Sequence, residues 1–151
     1  MIQNEAPDTG DRELVSIRVI DAPRERVFRA WTDPLHLAQW WGPKGFTNTF
    51  KEFDPRPGGH WRFIMHGPNG SVYPNHSLFK EITEPERIIL EHLSWPHFAL
   101  TATFEDVGGK TRITFRQLFE TAEDCAKVKG FAPDGNEQNL DRLEAELAKI
   151  E

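Results

Sequence analysis

The chain has 151 residues, 38% hydrophobic and 28% charged, enough for one domain that buries roughly 70% of its unfolded surface. Its net charge of -6 argues against a surface built for nucleic-acid phosphates, which needs clustered Lys and Arg. No apolar run nears the ~20 residues that cross a bilayer, no basic-then-apolar leader opens the chain, and Cys125 is a single cysteine, so a cytoplasmic protein is expected.

Residues 1–12 are polar and read as a flexible N-terminus, with a single domain over 13–151. Residues 13–20 alternate, with Val15, Ile17 and Val19 on one face and Ser16 and Arg18 on the other, which predicts a strand. Asp21-Ala22-Pro23 then opens a helix, because proline suits the first helical position. Val27 and Trp31 share one face of that helix. Asp33-Pro34 opens a second short helix by the same logic, with Leu37 and Trp41 as its apolar stripe, and Gly42-Pro43 ends it.

Six strand-length segments follow, at Phe46–Phe53, Trp61–His66, Ser77–Thr83, Arg87–Leu93, Phe98–Glu105 and Thr111–Phe119. Turn signals separate them, among them Gly58-Gly59, Gly67-Pro68-Asn69-Gly70, Trp95-Pro96 and Gly108-Gly109. Connections this short predict antiparallel hairpins, since a parallel crossover needs about a dozen residues or more. The tail is helical, with a capping box at Thr121–Asp124 and a stripe of Leu140, Leu143, Leu147 and Ile150. Pro133 and Gly135 are expected to kink or break it.

Alternation predicts the inward set. It comprises Trp61, Phe63 and Met65; Ile88, Leu90 and His92; Phe98, Leu100, Ala102 and Phe104; and Ile113, Phe115, Gln117 and Phe119. His60, Arg62, His66, Glu91, Thr101, Thr103, Arg112 and Arg116 take the wet face. Over Ser77–Thr83 two phases compete: Phe79 inward brings Glu81 with it, whereas Leu78 and Ile82 inward bring Lys80. The first is expected, with a bulge allowed. His92 and Gln117 are polar residues on the apolar set, so each needs a partner or a polar ligand.

Several segments together resemble one family. They are Asp21-Ala22-Pro23-Arg24-Glu25-Arg26-Val27-Phe28-Arg29-Ala30-Trp31-Thr32-Asp33-Pro34, Trp40-Trp41-Gly42-Pro43, Arg56-Pro57-Gly58-Gly59, Glu84-Pro85-Glu86-Arg87-Ile88 and Gly108-Gly109-Lys110-Thr111-Arg112. In this order they are similar to homologues of the activator of the heat-shock protein 90 ATPase, within the START-like (SRPBCC) superfamily. The resemblance spans roughly residues 13–150. It implies an α+β helix-grip (Bet v 1-like) fold: a curved antiparallel sheet of about seven strands around a long C-terminal helix, with two short helices after the first strand and an internal cavity. Superfamily members include lipid carriers, hormone receptors, polyketide cyclases and oxygenase domains, so function does not follow from the fold.

Trp40 and Trp41 are read either as core where the short helices meet the sheet or as the lining of a ligand mouth. Gly108-Gly109-Lys110-Thr111 has the end of a phosphate loop but joins two strands, which makes it a hairpin turn. His36, His60, His66, His76, His92 and His97 lack metal-binding spacing, and no metal or cofactor is expected. His92, Glu81 and Gln117 are either a satisfied buried cluster, the polar end of a ligand pocket, or, for His92 and Glu81, a general acid–base pair.

The expected ligand site comprises Trp41, Trp61, Phe63, Met65, Phe79, Glu81, His92, Phe98, Phe115, Gln117 and Phe131. Three functions follow. The leading one is binding or carriage of a small hydrophobic or aromatic molecule, without catalysis. The second is a cofactor-independent cyclase, dehydratase or isomerase using His92 and Glu81. The third is a chaperone-associated interaction module. A monomer or weak dimer is expected, with neither nucleic acid nor membrane as partner.

Overall fold

The structure, a computed structural model, describes residues 11–150. Expectations for residues 1–10 therefore lie outside the described residues. Arg12 is tied down, with Nη1 donating to the carbonyls of Phe119 (3.1 Å) and Glu120 (3.3 Å).

Eleven elements follow in chain order: β1 (Glu13–Ile20), α1 (Arg24–Thr32), α2 (Pro34–Trp40), β2 (Thr47–Phe53), β3 (His60–His66), β4 (Val72–Thr83), β5 (Arg87–His92), β6 (Phe98–Val107), β7 (Lys110–Phe119), α3 (Ala122–Val128) and α4 (Ala132–Leu147). The sheet order is β1-β7-β6-β5-β4-β3-β2, and every neighbouring pair is antiparallel. Six strands form a meander joined by short turns, and β1 adds to its far edge. The sheet curves around α4, giving the helix-grip fold.

Local chemistry sets the element ends. Asp33 caps α2, its Oδ1 accepting from Leu35 N–H at 3.0 Å, and Pro34 occupies the first turn, where no N–H is needed. Beyond Trp41, Gly42 has φ +100°, a conformation that L side chains rarely adopt, and a Cβ there would come 2.7 Å from Met65 Cε. The tail breaks at Lys129–Phe131, between α3 and α4. Pro133 and Gly135, the expected breakers, lie inside the start of α4 instead. Proline is tolerated there because the first-turn N–H groups have no helical acceptor.

The inward set predicted for β5, β6 and β7 is buried or half-buried as expected. β4 contains both competing phases, because its register against β5 shifts between Phe79 and Glu81. Phe79 opposite Leu90 faces in before the bulge, and Ile82 opposite Ile88 faces in after it. A bulge adds one residue to one strand and so switches faces. A second register shift, between Phe50 and Glu52, lets both Phe50 and Phe53 pack inward against Trp61.

On β1 the apolar face is the outer one. Val15, Ile17 and Val19 are 43%, 59% and 49% exposed. Arg18 faces inward, where its guanidinium meets Glu137 (2.7 Å), Asp141 (2.6 Å) and Glu144 (2.7 Å) on α4. Three carboxylates on consecutive turns of one helix face favour a cation opposite them over an aliphatic side chain.

Candidate functional site

The core cluster runs from α1 and α2 across the sheet to the second half of α4. Trp31 meets Trp40 edge-to-face at 5.0 Å and Phe104 at 5.9 Å, and Leu140, Leu143 and Leu147 pack on the same cluster. Trp40 is 1% exposed, and its Nε1 donates to the Ala30 carbonyl at 2.9 Å. Trp41, just past the end of α2, packs on the edge of this cluster, edge-to-face with Trp31 and Trp40 at 5.5 Å each, and reaches Trp61 at 5.2 Å. Trp61 in turn stacks on Phe63 at 4.4 Å. The paired tryptophans thus divide: Trp40 belongs to the core and Trp41 to the wall of a cavity.

That cavity has a volume of about 570 Å³ and lies between the concave sheet and the first half of α4. Small-molecule sites in proteins commonly span ~300–1,000 Å³. It exists because α4 changes character along its length. Ala132, Gly135, Asn136 and Asn139 face the sheet over the first half, and none fills the space that the leucines fill further along.

Nine of the eleven residues expected at a ligand site line the cavity: Trp41, Trp61, Phe63, Met65, His92, Phe98, Phe115, Gln117 and Phe131. Phe131 stands at the rim, 64% exposed. Two lie elsewhere. Phe79 is buried in the core, stacked parallel to Trp61 at 6.2 Å. Glu81 is carried to the outer side by the β4 bulge. There its carboxylate accepts from Thr83 Oγ1 (2.8 Å) and Arg87 Nε (2.7 Å), which in that order hold its pKa below the ordinary value. Glu81 and His92 therefore form no pair.

The polar groups of the cavity fall into two sets. On β4 and β5, Ser77 lies directly opposite His92. The imidazole Nδ1–H donates to the Pro96 carbonyl at 2.8 Å, and Nε2 lies 2.7 Å from Asn75 Oδ1 and 3.3 Å from Ser94 Oγ. Burial pushes the His92 pKa below its ordinary value despite the carbonyl bond. On β7, Gln117 Oε1 accepts from Asn136 Nδ2 at 2.8 Å. Sequence reasoning missed Asn75, Ser77, Asn136 and Asn139. Asn75 and Ser77 could have been found, since they share the alternation phase of Phe79 on β4.

The rim is anchored to α4. Arg142 donates to the carbonyls of Gln39 (2.8 Å), Gly42 (2.9 Å) and Pro43 (2.9 Å), acceptors left without helical donors where α2 ends. Asn139 Oδ1 accepts from Gly42 N–H and Gln138 Oε1 from Lys44 N–H, each at 3.1 Å.

Among the described residues no group of three or more His, Cys, Asp or Glu could hold a metal ion. Gly108-Gly109 is the β6–β7 hairpin turn, with both φ values positive. Cys125 is buried in a small cluster with Leu14, Phe119 and Val128. No helix among the described residues is long and apolar enough to cross a membrane.

Comparison with known proteins agrees with this architecture. A family model described as Activator of Hsp90 ATPase homolog 1-like protein matches residues 21–148. A crystal structure of a Nitrosomonas europaea protein is 22% identical, with a TM-score of 0.87 over 97% of this chain and 100% of that one. A Rhodobacter sphaeroides protein is 25% identical, with a TM-score of 0.85 over 96% and 97% of the two chains. A Chromobacterium violaceum protein is 27% identical, with a TM-score of 0.79 over 88% and 95%. A search of curated proteins gives no significant match.

Proposed function

The chain belongs to the family of Activator of Hsp90 ATPase homolog 1-like proteins, and from that premise we propose that it binds and carries a small hydrophobic or aromatic molecule in the cavity beneath α4. The observation that supports this is the cavity itself: about 570 Å³ walled by Trp41, Trp61, Phe63, Phe98 and Phe115. Aromatic walls offer large apolar contact at low entropic cost, which suits a planar guest.

Carriage is preferred to chemistry on the placement of the titratable groups. His92 lines the cavity, while Glu81 is bonded to Arg87 outside it. An acid–base reaction would have to rely on His92, whose Nδ1–H is already committed to Pro96, and on Asp134, which is exposed in the first turn of α4.

A thermal-shift screen of uncharged aromatics, followed by NMR of the five indole N–H groups, tests the proposal. Ligands that bind only the folded state raise the melting temperature by mass action, and the Trp41 and Trp61 signals should move more than that of Trp95, which is exposed and does not line the cavity. A screen in which no compound shifts either observable would remove the basis for carriage. The family description also names activation of the Hsp90 ATPase. As a property of this chain, such partner binding would survive filling of the cavity with bulky side chains, whereas carriage would not.

A further inference from the structure

Several buried side chains on the cavity wall have hydrogen-bonding capacity left over, Trp61 Nε1 among them, and two of these side chains, Gln117 and Ser77, stand three strands apart. Gln117 is 8% exposed; its Oε1 is engaged by Asn136, but its amide N–H groups meet no acceptor among the described residues. Ser77 is 1% exposed, and its hydroxyl has no partner among the described residues. Both line the cavity. A polar group covered by a guest without a hydrogen bond costs free energy, so a guest that covers these groups is favoured when it bonds them.

Their positions follow from the sheet register. Ser77 is on β4 opposite His92 on β5, and His92 is opposite Phe98 on β6. Gln117 is on β7 opposite Leu100, one inward position away from that row. Three strand spacings separate β4 from β7, roughly 14 Å at the backbone. The inward residues between the two stations are apolar, Phe98 and Leu100 on β6, apart from the His92 ring. Among the described residues no lysine or arginine lines the cavity, and the one carboxylate there is that of Asp134, exposed in the first turn of α4.

We propose that the ligand is an uncharged, elongated aromatic molecule with a hydrogen-bonding group at each end, one accepting from the Gln117 amide and the other bonding the Ser77 hydroxyl beside His92. This rests on the cavity being a binding site. An anionic head would find no cation to replace its hydration and would face Asp134, so fatty-acid-like carboxylates are excluded. An ammonium head would lose its water without gaining a buried carboxylate. A neutral hydroxyl or carbonyl matches both stations.

The test uses four rods of equal width: para,para′-dihydroxybiphenyl, its monohydroxy analogue, biphenyl, and the monohydroxy analogue bearing a carboxylate at the far end. Binding is titrated at neutral pH by calorimetry on the full chain, with Gln117→Leu and Ser77→Ala as variants. Both substitutions remove an unmet donor, and the indole spectrum checks that each variant is folded. The diol should bind tightest, each missing hydroxyl should cost about five- to tenfold in Kd, and the carboxylate should bind weakest. Gln117→Leu and Ser77→Ala should each cancel one hydroxyl's advantage. Equal affinity for biphenyl and the diol, or a carboxylate that binds as tightly as the diol, overturns the two-ended neutral ligand while leaving the cavity as a binding site. If none of the four binds the wild-type chain, the carrier reading fails and this inference with it.

Discussion

The two halves of α4 face the same sheet and produce opposite results. Over its second half, Leu140, Leu143 and Leu147 complete a core with Trp31, Trp40 and Phe104. Over its first half, Gly135, Asn136 and Asn139 leave a space of about 570 Å³ whose far wall is just as aromatic. Aromatic content of the sheet therefore does not decide whether a region is core or cavity. The size and polarity of the opposing helix face decide it.

The packed half can be broken most easily. Leu143→Ala should lower stability by about 2–5 kcal/mol, since a fully buried leucine leaves a void that a close-packed neighbourhood fills poorly. Denaturant titration measures it, and a loss below about 1 kcal/mol would mean that this end is not close-packed.

Acid should act mainly at the cavity half, through His92. The unfolded imidazole takes a proton near its ordinary pKa of 6.5, whereas the buried ring resists it. Stability should therefore fall as pH drops below 6.5, and level off once the pH is below the folded-state pKa. His92→Gln should flatten that part of the curve, and an unchanged slope would place the titration elsewhere. His76, whose pKa is also lowered by burial and by Arg62, is the control to substitute next.

Gly135→Ala should have a smaller effect, of opposite sign. A Cβ there would lie 3.7 Å from Pro43 Cγ, an ordinary contact, and alanine is the better helix former by about 1 kcal/mol. Stabilisation of about 0.5–1 kcal/mol with ligand binding retained is expected. Destabilisation would mean that the first half of α4 has no room to spare. Smallest of all, Glu81→Gln on the outer side should change stability by under about 1 kcal/mol, because its pair with Arg87 is partly exposed. A large loss of any turnover in that variant would reopen the acid–base reading.

Much of this architecture was legible in the sequence. Alternation in β5, β6 and β7 identified the inward side chains, because the period of two is fixed by strand geometry. It could not say which face of β1 turns inward. That depends on Arg18 finding Glu137, Asp141 and Glu144, residues with no local signature. The displacement of Glu81 was hidden because a bulge carries no strong residue signal when neither position is glycine. The cavity was inferred from family resemblance, although the small and polar residues at the start of α4 already marked where a helix would fail to fill a concave sheet.

The position of β1 has a consequence for how the chain assembles. Among the described strands its partner is β7, beginning at Lys110, and the carboxylates that meet Arg18 lie 119 to 126 residues beyond Arg18. During synthesis β1 must therefore wait unpaired, its Leu14 and Ile20 side chains not yet buried, until the meander and α4 have emerged. Contacts of such long sequence separation slow folding, because the loop must close before any of them forms. The first strand to be made is among the last to be placed, and the interval before it docks is when this chain is most open to capture by a chaperone or by another nascent copy.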